Sequence, residues 1–592
     1  MYQNQELTFD PKNPLQVLKQ GTFEQWLDIK GNRRRFLVHI PKGCREAACG
    51  IFVLSPDGWS ADDALRQGSW TKLAENEKTV VFFLEPQNGR WNTREPYGCD
   101  NGDVAYIDAL FRQLSERRLF NIHEASVFLF GCGAGGTVAQ MAAMWSPASY
   151  AGLCTIDSAV SDGYSRAASQ DFCCYLGGFE DPGHRYGIRK GDIPLPVWVV
   201  GSDTPDTVAV SHWRNACHAD TPGQPEGDTV RWQRSAPVPH PQNEDAEAYT
   251  VWESRIPGAA QAGDALIGRI WSDFLNRHRR WLGDAGGDLR LHQAPTDIPG
   301  MEYHLEDVDG WLREWYTYVP ESVRANPKKP VPLVLACHGY TCNGAIYLAH
   351  SGWHRIAEEK GFIAVFPTAG YGRMFTENAY CSSDNLLLPA WNIFHKETQP
   401  EEFPFFRALI ERTAQEHPID RSRVFATGHS LGSLMVQMLG LAMPETFAAI
   451  APCSGILFDD LEQEPLSLPE VVAHPDVELP VWMFGGSEEA FLVPDRPADG
   501  NRTAYTLNAW LQRNHMETRC GDEWAVGWVH RDDRWEDLIY QKDGIPMVGF
   551  TRVEYMPHAT TEEMSRRIWD EFFSRLSRTD GKIIYHKGEF EA

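Results

Sequence analysis

The sequence predicts an α/β architecture built twice, as two tandem domains that each contain a mostly parallel sheet flanked by helices. Short β-branched and aromatic runs alternate with helical patterns, which is typical of parallel sheets. Motifs of the first half also recur in the second half in the same order. The 592 residues are 42% hydrophobic and 12% aromatic, which is enough for two large cores. We expect domains at residues 1–282 and 300–592, joined by a Gly-, Asp- and Pro-rich linker at residues 283–299.

The repeated motifs fix the register between the two halves. Four pairs of segments correspond: 34–41 with 313–320, 68–78 with 351–360, 91–92 with 391–392, and 270–274 with 568–572. The offset grows from 283 (353 − 70) to 300 (391 − 91), so the second half carries about 17 additional residues within 371–390. We expect this insertion to form part of a lid or of a pocket wall.

The elements of the second half follow from the spacing of apolar residues. Buried runs predict strands at Trp315–Val319, Leu333–Cys337, Ile363–Phe366, Val424–Thr427, Ala448–Pro452, Val481–Phe484 and Val548–Tyr555. Helical spacing predicts helices at Trp353–Lys360, Phe405–Glu416 and 562–573. The aromatic-rich segment 524–535 is interpreted either as an amphipathic hairpin or cap on the core, or as a surface that stacks an aromatic acyl group.

The clearest chemical motif is Gly428-His429-Ser430-Leu431-Gly432, which follows a predicted strand and precedes a predicted helix. In so tight a turn the residues two before and two after the serine must be nearly free of side chains, and both are glycines. The turn lifts the serine oxygen out of the fold at a helix N-terminus, where unpaired N–H groups stabilise a developing anion. This arrangement resembles the nucleophile elbow of α/β-hydrolases, so Ser430 is the candidate nucleophile.

A serine nucleophile needs a base and an orienting acid. In α/β-hydrolases the triad follows the order serine, acid, histidine along the chain. His558 lies on the loop between the last predicted strand and the last predicted helix, which is where the base belongs. The acid is expected after the strand that ends near residue 484, where it would accept the Nδ1 proton. Glu488 is the first choice, Glu489 the second and Asp495 the third.

An oxyanion hole requires two backbone N–H groups near the serine. The N–H of Leu431 is the first candidate, and the second is the N–H of Tyr340 or Thr341, on the loop after the predicted strand Leu333–Cys337. His338 precedes the serine and is interpreted as a residue that braces this loop. The candidate substrate-pocket residues are Trp353, Trp391 and His429.

Further motifs accompany the elbow over residues 330–575. In chain order they are His338-Gly339, Ser351-Gly352-Trp353, Trp391-Asn392, Ala451-Pro452-Cys453-Ser454-Gly455 and Pro557-His558-Ala559. With these motifs the second half resembles the polyhydroxybutyrate depolymerase and feruloyl esterase group of α/β-hydrolases. The resemblance implies carboxylic ester hydrolysis through an acyl-serine, on feruloyl or other hydroxycinnamoyl esters or on hydroxyalkanoate-type esters.

The triad chemistry needs no metal and no organic cofactor, so we expect neither. The expected partner is a small-molecule or oligomeric ester. A serine peptidase or an acyltransferase would use the same triad, and both remain open as alternatives.

The first half is expected to be a catalytically degenerate copy. The segment Val127–Gly136 aligns with the elbow and places Gly133 at the nucleophile position, while Cys132 takes the place of His429. Asp203 and Asp206 remain after the corresponding acid strand, but residues 256–260 contain no histidine. Such a domain would pack on the active half, wall its cleft, mediate homodimerisation or bind a ligand.

Charge and cysteine usage restrict the partners and the compartment. A net charge of −26 argues against nucleic acid and against an anionic membrane surface. The first residues do not read as a secretory signal, and apolar runs are shorter than a membrane span. The 13 cysteines are scattered without paired zinc spacing and are expected to be mostly reduced. These features predict a cytoplasmic protein, or a secreted one if a signal peptide has been removed.

Overall fold

Two compact units make up the described chain, and the boundary between them falls between His292 and Gln293. The computed structural model describes residues 2–8, 17, 19–94, 96–117, 122–236, 238–239, 242–243, 245–283, 286–372, 388–395, 397, 399–456, 474–489, 496–531 and 534–586. Most of the predicted insertion therefore lies outside the described residues. At its base, Tyr371–Gly372 pairs antiparallel with Leu388–Pro389.

The first unit is built on an 11-stranded mixed sheet with helices packed on it. In spatial order its strands are Asn4–Glu6, Lys19–Ile29, Asn32–Ile40, Val80–Leu84, Ala48–Leu54, Ile122–Cys132, Gly152–Ile156, Val197–Gly201, Thr250–Arg255, Thr229–Gln233 and Gln224–Glu226. Its α-helices are Ala61–Gln67, Ser69–Glu77, Gly102–Arg117, Ala134–Trp145, Asp162–Gln170, Thr207–Ala216 and Asp264–Arg269. A two-stranded ribbon, His278–Trp281 with Asp288–Leu291, follows the last helix.

The second unit is built on a 10-stranded mixed sheet. In spatial order its strands are Met301–Val308, Trp311–Tyr318, Ile363–Pro367, Val331–Cys337, Ile419–His429, Ala449–Cys453, Val481–Gly486, Ile545–Val553, Trp535–Lys542 and Trp528–Arg531. Its α-helices are Glu321–Ala325, Gly344–Ser351, Trp353–Lys360, Glu402–Glu416, Leu431–Ala442, Arg502–Arg513 and Glu562–Glu571. The ribbon Leu576–Thr579 with Lys582–Tyr585 follows the last helix.

The two sheets share one topology. Beyond the edge strand Asn4–Glu6, the strands of the first sheet match those of the second in spatial order and in parallel or antiparallel direction. In each sheet the parallel strands occupy the middle and consist largely of buried apolar residues, because helices cover both faces. The carboxyl ends of such strands form the edge at which α/β proteins place their functional residues.

The predicted elements of the second unit are present, with shifted ends. The helix Trp353–Lys360 has the predicted bounds, and the strand predicted at Val424–Thr427 extends over Ile419–His429. The segment 524–535 enters a hairpin, Trp528–Arg531 with Trp535–Lys542. The sequence patterns did not predict Met301–Val308, whose alternation of half-buried and exposed residues marks an edge strand.

Candidate active site

The elbow places Ser430 between the strand Ile419–His429 and the helix Leu431–Ala442. Ser430 has φ 55° and ψ −119°, a backbone conformation that is costly for any residue with a side chain. Gly428 and Gly432 are required on either side, because a Cβ atom at either position would overlap a backbone carbonyl oxygen. The local sequence therefore produces the strained turn that exposes a nucleophile.

His558 and Glu489 form a hydrogen-bonded ion pair beside this turn. The distance between His558 Nδ1 and Glu489 Oε2 is 2.7 Å. The Glu489 side chain is 0% exposed, whereas that of His558 is 31% exposed. Glu489 Oε1 has no hydrogen-bond partner among the described residues, so nothing there competes with His558 for the carboxylate. The pair has the geometry by which an acid fixes the imidazole tautomer and stabilises its protonated form.

The acid next to His558 is thus Glu489, the second choice from sequence, and not Glu488. The N–H of Glu488 donates to the carbonyl of Met556 at 3.0 Å, which holds that part of the backbone against the histidine loop. The next residue then directs its carboxylate to His558. Asp495, the third choice, lies outside the described residues.

The histidine loop lies against the elbow. The rings of His429 and His558 are 4.8 Å apart, and Ser454 Oγ donates to the carbonyl of Ala559 at 2.9 Å. The Ser430 hydroxyl makes no hydrogen bond within the described part of the chain. In enzymes without substrate the contact between nucleophile and base is often long, and it tightens on binding.

The structure distinguishes the predicted oxyanion donors. The N–H of Leu431 is the first of its helix and has no partner four residues earlier. The loop after Val331–Cys337 passes close to the serine, since a Cβ on Gly339 would lie 3.2 Å from Ser430 Cβ. Thr341 is the wrong candidate, because its N–H donates to the carbonyl of Pro389 at 3.2 Å. Tyr340 is the remaining candidate for the second donor.

His338 is a buried brace for this loop. Its Nδ1 donates to the carbonyl of Gly339 at 2.6 Å, and its Nε2 accepts from the N–H of Ala369 at 2.9 Å. Burial lowers the pKa of His338 to about 4, so the ring is neutral at neutral pH. Trp391 Nε1 donates to the His338 carbonyl at 2.7 Å.

Two of the predicted pocket residues belong to the core. Trp391 is 1% exposed, and Trp353 is 0% exposed and packs against Phe362 and Phe573. Their side chains are enclosed by neighbouring aromatic rings, so neither forms a substrate surface. The sequence motifs that contain these tryptophans do not show whether the side chains are buried or exposed. His429 is half-buried beside His558 and stays a pocket candidate.

Sequence reasoning missed a buried ion pair that supports the loop before the elbow. Arg313 pairs with Glu402 at 2.7 Å, and Glu402 also accepts the N–H of Asn392 at 3.1 Å. The first unit has an equivalent pair, Arg34 with Asp103 at 2.8 Å. The repeat itself could have indicated these pairs, because Arg34 and Arg313 occupy the same position in the first repeated segment.

The corresponding turn of the first unit lacks a nucleophile. Gly133 has φ 56° and ψ −125°, nearly the conformation of Ser430. Burial raises the pKa of the Cys132 thiol to about 12, so Cys132 is a poor substitute nucleophile. Asp206 caps the helix Thr207–Ala216 and accepts the N–H of Val160, which gives it a structural role. Asp203 is exposed.

Two general features bear on the environment of the protein. The cysteines in the described ranges are all free thiols. No helix in the part of the chain that the structure covers is both long and apolar enough to span a membrane.

Comparisons with known proteins find esterases, although no protein-family model matches the chain. The chain is 27% identical over 145 residues to acetylxylan esterase A of Aspergillus awamori, which is 24% of this chain and 41% of that protein. It is 28% identical over 142 residues to poly(3-hydroxyalkanoate) depolymerase C of Paucimonas lemoignei, covering 24% of this chain and 31% of that protein. Feruloyl esterase B of Thermothelomyces thermophilus is 27% identical over 151 residues, or 24% and 45% of the two chains.

The chain thus spans less than half the length of these curated relatives. Among solved structures, acetyl xylan esterase from Aspergillus awamori matches 46% of this chain and 98% of its own, with 15% identity and a TM-score of 0.33. The sequence resemblance to depolymerases and feruloyl esterases is confirmed, and acetylxylan esterases join them.

Proposed function

We propose that residues 300–592 form a serine carboxylic ester hydrolase that works through an acyl-enzyme intermediate. The observation that carries this proposal is the strained Ser430 turn with the His558–Glu489 pair against its flank. The similarity to acetylxylan and feruloyl esterases and to a polyhydroxyalkanoate depolymerase supports the same reaction class.

In the first half-reaction, His558 accepts the Ser430 proton while the serine oxygen attacks the ester carbonyl. Glu489 stabilises the imidazolium that forms, and its burial makes this interaction strong. The N–H groups of Leu431 and Tyr340 would hold the tetrahedral oxyanion. The alcohol then leaves with the proton that His558 returns.

In the second half-reaction, water takes the place of the alcohol. His558 removes a proton from this water, which attacks the acyl-serine carbonyl through a second tetrahedral intermediate. Collapse frees the carboxylic acid and returns the proton to Ser430. Substrates are proposed to carry acetyl, hydroxycinnamoyl or hydroxyalkanoate acyl groups, which are the groups that the names of the relatives indicate.

We further propose that the first unit is a non-catalytic copy of the second. Matching sheet topologies and the equivalent Gly133 and Ser430 turns support this. Equivalent buried bonds support it too: Trp91 Nε1 donates to the Ser55 carbonyl at 2.7 Å, as Trp391 does to that of His338.

The test labels the native protein with a fluorophosphonate probe and measures hydrolysis of a panel of ester substrates. Label on Ser430 alone, with label and turnover both lost in Ser430→Ala, is the expected result. An amide panel and an added alcohol acceptor separate an esterase from a peptidase and from an acyltransferase. Full turnover by Ser430→Ala would end the proposal.

A further inference from the structure

Glu302, Glu416 and His417 converge at an edge of the second sheet, His304 lies beside Glu302, and the proposed hydrolysis uses none of the four. Glu302 and His304 stand two residues apart on the edge strand, so both face the same side of the sheet. Glu416 and His417 stand where a long helix ends beside that strand. The sequence offers no compact metal-binding motif here, because the pairs are more than 100 residues apart.

The distances among these side chains suit a small coordination sphere. His417 Nε2 lies 2.9 Å from Glu302 Oε2, and His304 Nε2 lies 3.8 Å from the same oxygen. One ligand atom from each of Glu302, Glu416 and His417 lies within 4.8 Å of the others. Ligand atoms about 2.0–2.1 Å from a tetrahedral zinc ion are about 3.3 Å apart. The His417–Glu302 separation is shorter than that value and the His304–Glu302 separation is longer, so Glu302 lies between the two rings. Rotation of the Glu416 and His304 side chains toward Glu302 would complete the sphere.

His304 has an oriented ring whose Nε2 makes no hydrogen bond within the described residues. Its ring stacks on Trp315 with 4.9 Å between centroids and 7° between planes, which fixes its orientation. The side chain is only 12% exposed, and Nε2 is buried with no hydrogen-bond acceptor or donor among the described residues. Buried polar nitrogens in folded proteins are normally satisfied, and a metal ion is one group that would satisfy this atom.

The surrounding charge favours a cation. Three carboxylates surround the cluster, from Glu302, Glu306 and Glu416, and one guanidinium faces them. Arg412 contacts Glu306 at 3.2 Å and Glu416 at 3.2 Å. Its side chain is 44% exposed, so it can turn to solvent and release Glu416. The local excess of negative charge lowers the free energy of a bound dication.

We propose that Glu302, His304, Glu416 and His417 bind one divalent transition-metal ion, preferentially Zn²⁺. Two imidazole nitrogens and two carboxylate oxygens are a donor set that suits zinc, and four protein ligands make a closed, structural site. The ion stabilises the second unit by tying its edge strand to the helix Glu402–Glu416. At the other end of this helix, Glu402 holds the buried pair with Arg313.

The experiment compares metal-stripped native protein with four variants. Glu302→Gln and His304→Gln each remove one ligand and keep a similar shape, and Glu416→Gln does so at an exposed position. The matched control is His474→Gln, since His474 forms a comparable pair with Glu445 at 2.7 Å in the same unit. Zn²⁺ binding is measured by calorimetry and by the thermal unfolding midpoint.

We expect the native protein and His474→Gln to bind one more Zn²⁺ per chain than the ligand variants do. Loss of one ligand should lower the affinity for this ion by more than about 100-fold, since changes to residues that only contact the ligands already lower metal affinity by about 10- to 100-fold. At a hundredfold excess of Zn²⁺ over its Kd, the midpoint should rise by about 5 °C in native protein and in His474→Gln, and should stay unchanged in the ligand variants.

Co²⁺ separates this site from the free thiols. Cobalt bound to nitrogen and oxygen gives visible d–d bands without the near-ultraviolet bands of a thiolate ligand. Those visible bands should disappear in Glu416→Gln and persist in His474→Gln. Equal Zn²⁺ stoichiometry and affinity in native protein and all ligand variants would overturn the proposal, and so would purely thiolate-type cobalt spectra. Ester turnover by the stripped protein tests the proposed function separately.

Discussion

Replacing Glu489 by glutamine removes one charge from the candidate triad and leaves the side-chain shape almost unchanged. The carboxylate is fully buried and lies 2.7 Å from His558 Nδ1. For opposite charges about 4 Å apart at an effective dielectric of about 20, the interaction is worth about 4 kcal/mol. In the proposed mechanism the imidazolium forms when His558 takes the Ser430 proton, so this energy stabilises the transition state.

The expected loss follows from that energy. About 1.4 kcal/mol corresponds to tenfold in rate, so Glu489→Gln should lower kcat/KM by about 10³-fold. Loss of tautomer control adds to this, and substitution of the acid in well-studied triads costs about 10⁴-fold. We therefore expect a fall of about 10³- to 10⁴-fold for p-nitrophenyl acetate, with near-ultraviolet circular dichroism unchanged.

Glu488→Gln is the matched control, because it changes the neighbouring residue by the same chemistry. The backbone N–H of Glu488 donates to Met556, and its Oε1 accepts from Ser487 Oγ at 3.4 Å. A glutamine keeps both an N–H donor and an oxygen acceptor, so kcat/KM should stay within about threefold of native. A large loss in Glu488→Gln together with near-native turnover in Glu489→Gln would refute the assignment of the acid.

Three further predictions concern the supports of the site. Trp391→Phe should lower the free energy of unfolding by about 1 kcal/mol in urea titrations and reduce kcat, whereas Trp91→Phe should cost similar stability without changing kcat. His338 is protonated in the unfolded chain below about pH 6.5 but in the folded chain only below about 4, so its own contribution to stability should fall by about 1.4 kcal/mol per pH unit as the pH is lowered through that window. His338→Gln should remove this contribution and make the pH dependence of unfolding less steep. Gly133→Ser should gain no fluorophosphonate label, and a second labelled serine in its peptide map would contradict the reading of the first unit.

The fold of the second unit followed closely from sequence because its signals are local. A buried run before Gly428, glycines around Ser430 and a helical pattern after it each constrain the backbone within a few residues. The position of His558 followed as well, since chain order and the loop before the last helix restrict the candidates. Edge strands such as Met301–Val308 carry weaker patterns, because only one of their faces is buried.

The parts that sequence could not supply depend on contacts between distant segments. Glu488 and Glu489 are adjacent and chemically identical, and the choice between them depends on the backbone hydrogen bond to Met556. A tryptophan such as Trp391 has the same local signature in a core as in a pocket. The spacing of residues in the sequence likewise does not predict the pair of Glu302 and His417, because these residues meet only where the end of a helix packs beside an edge strand.

Gly133 affects how easily a serine could be introduced at this turn by mutation. Glycine adopts this left-handed backbone at little cost, whereas a serine there would carry a strain of about 1–3 kcal/mol. A chance return of serine would thus destabilise the first unit at once, and with no histidine in residues 256–260 it would restore no chemistry. Esterase chemistry in this unit would need at least a serine and a histidine together, and the serine alone would be harmful. In the proposed non-catalytic unit, backbone energetics would therefore oppose the first step toward catalysis.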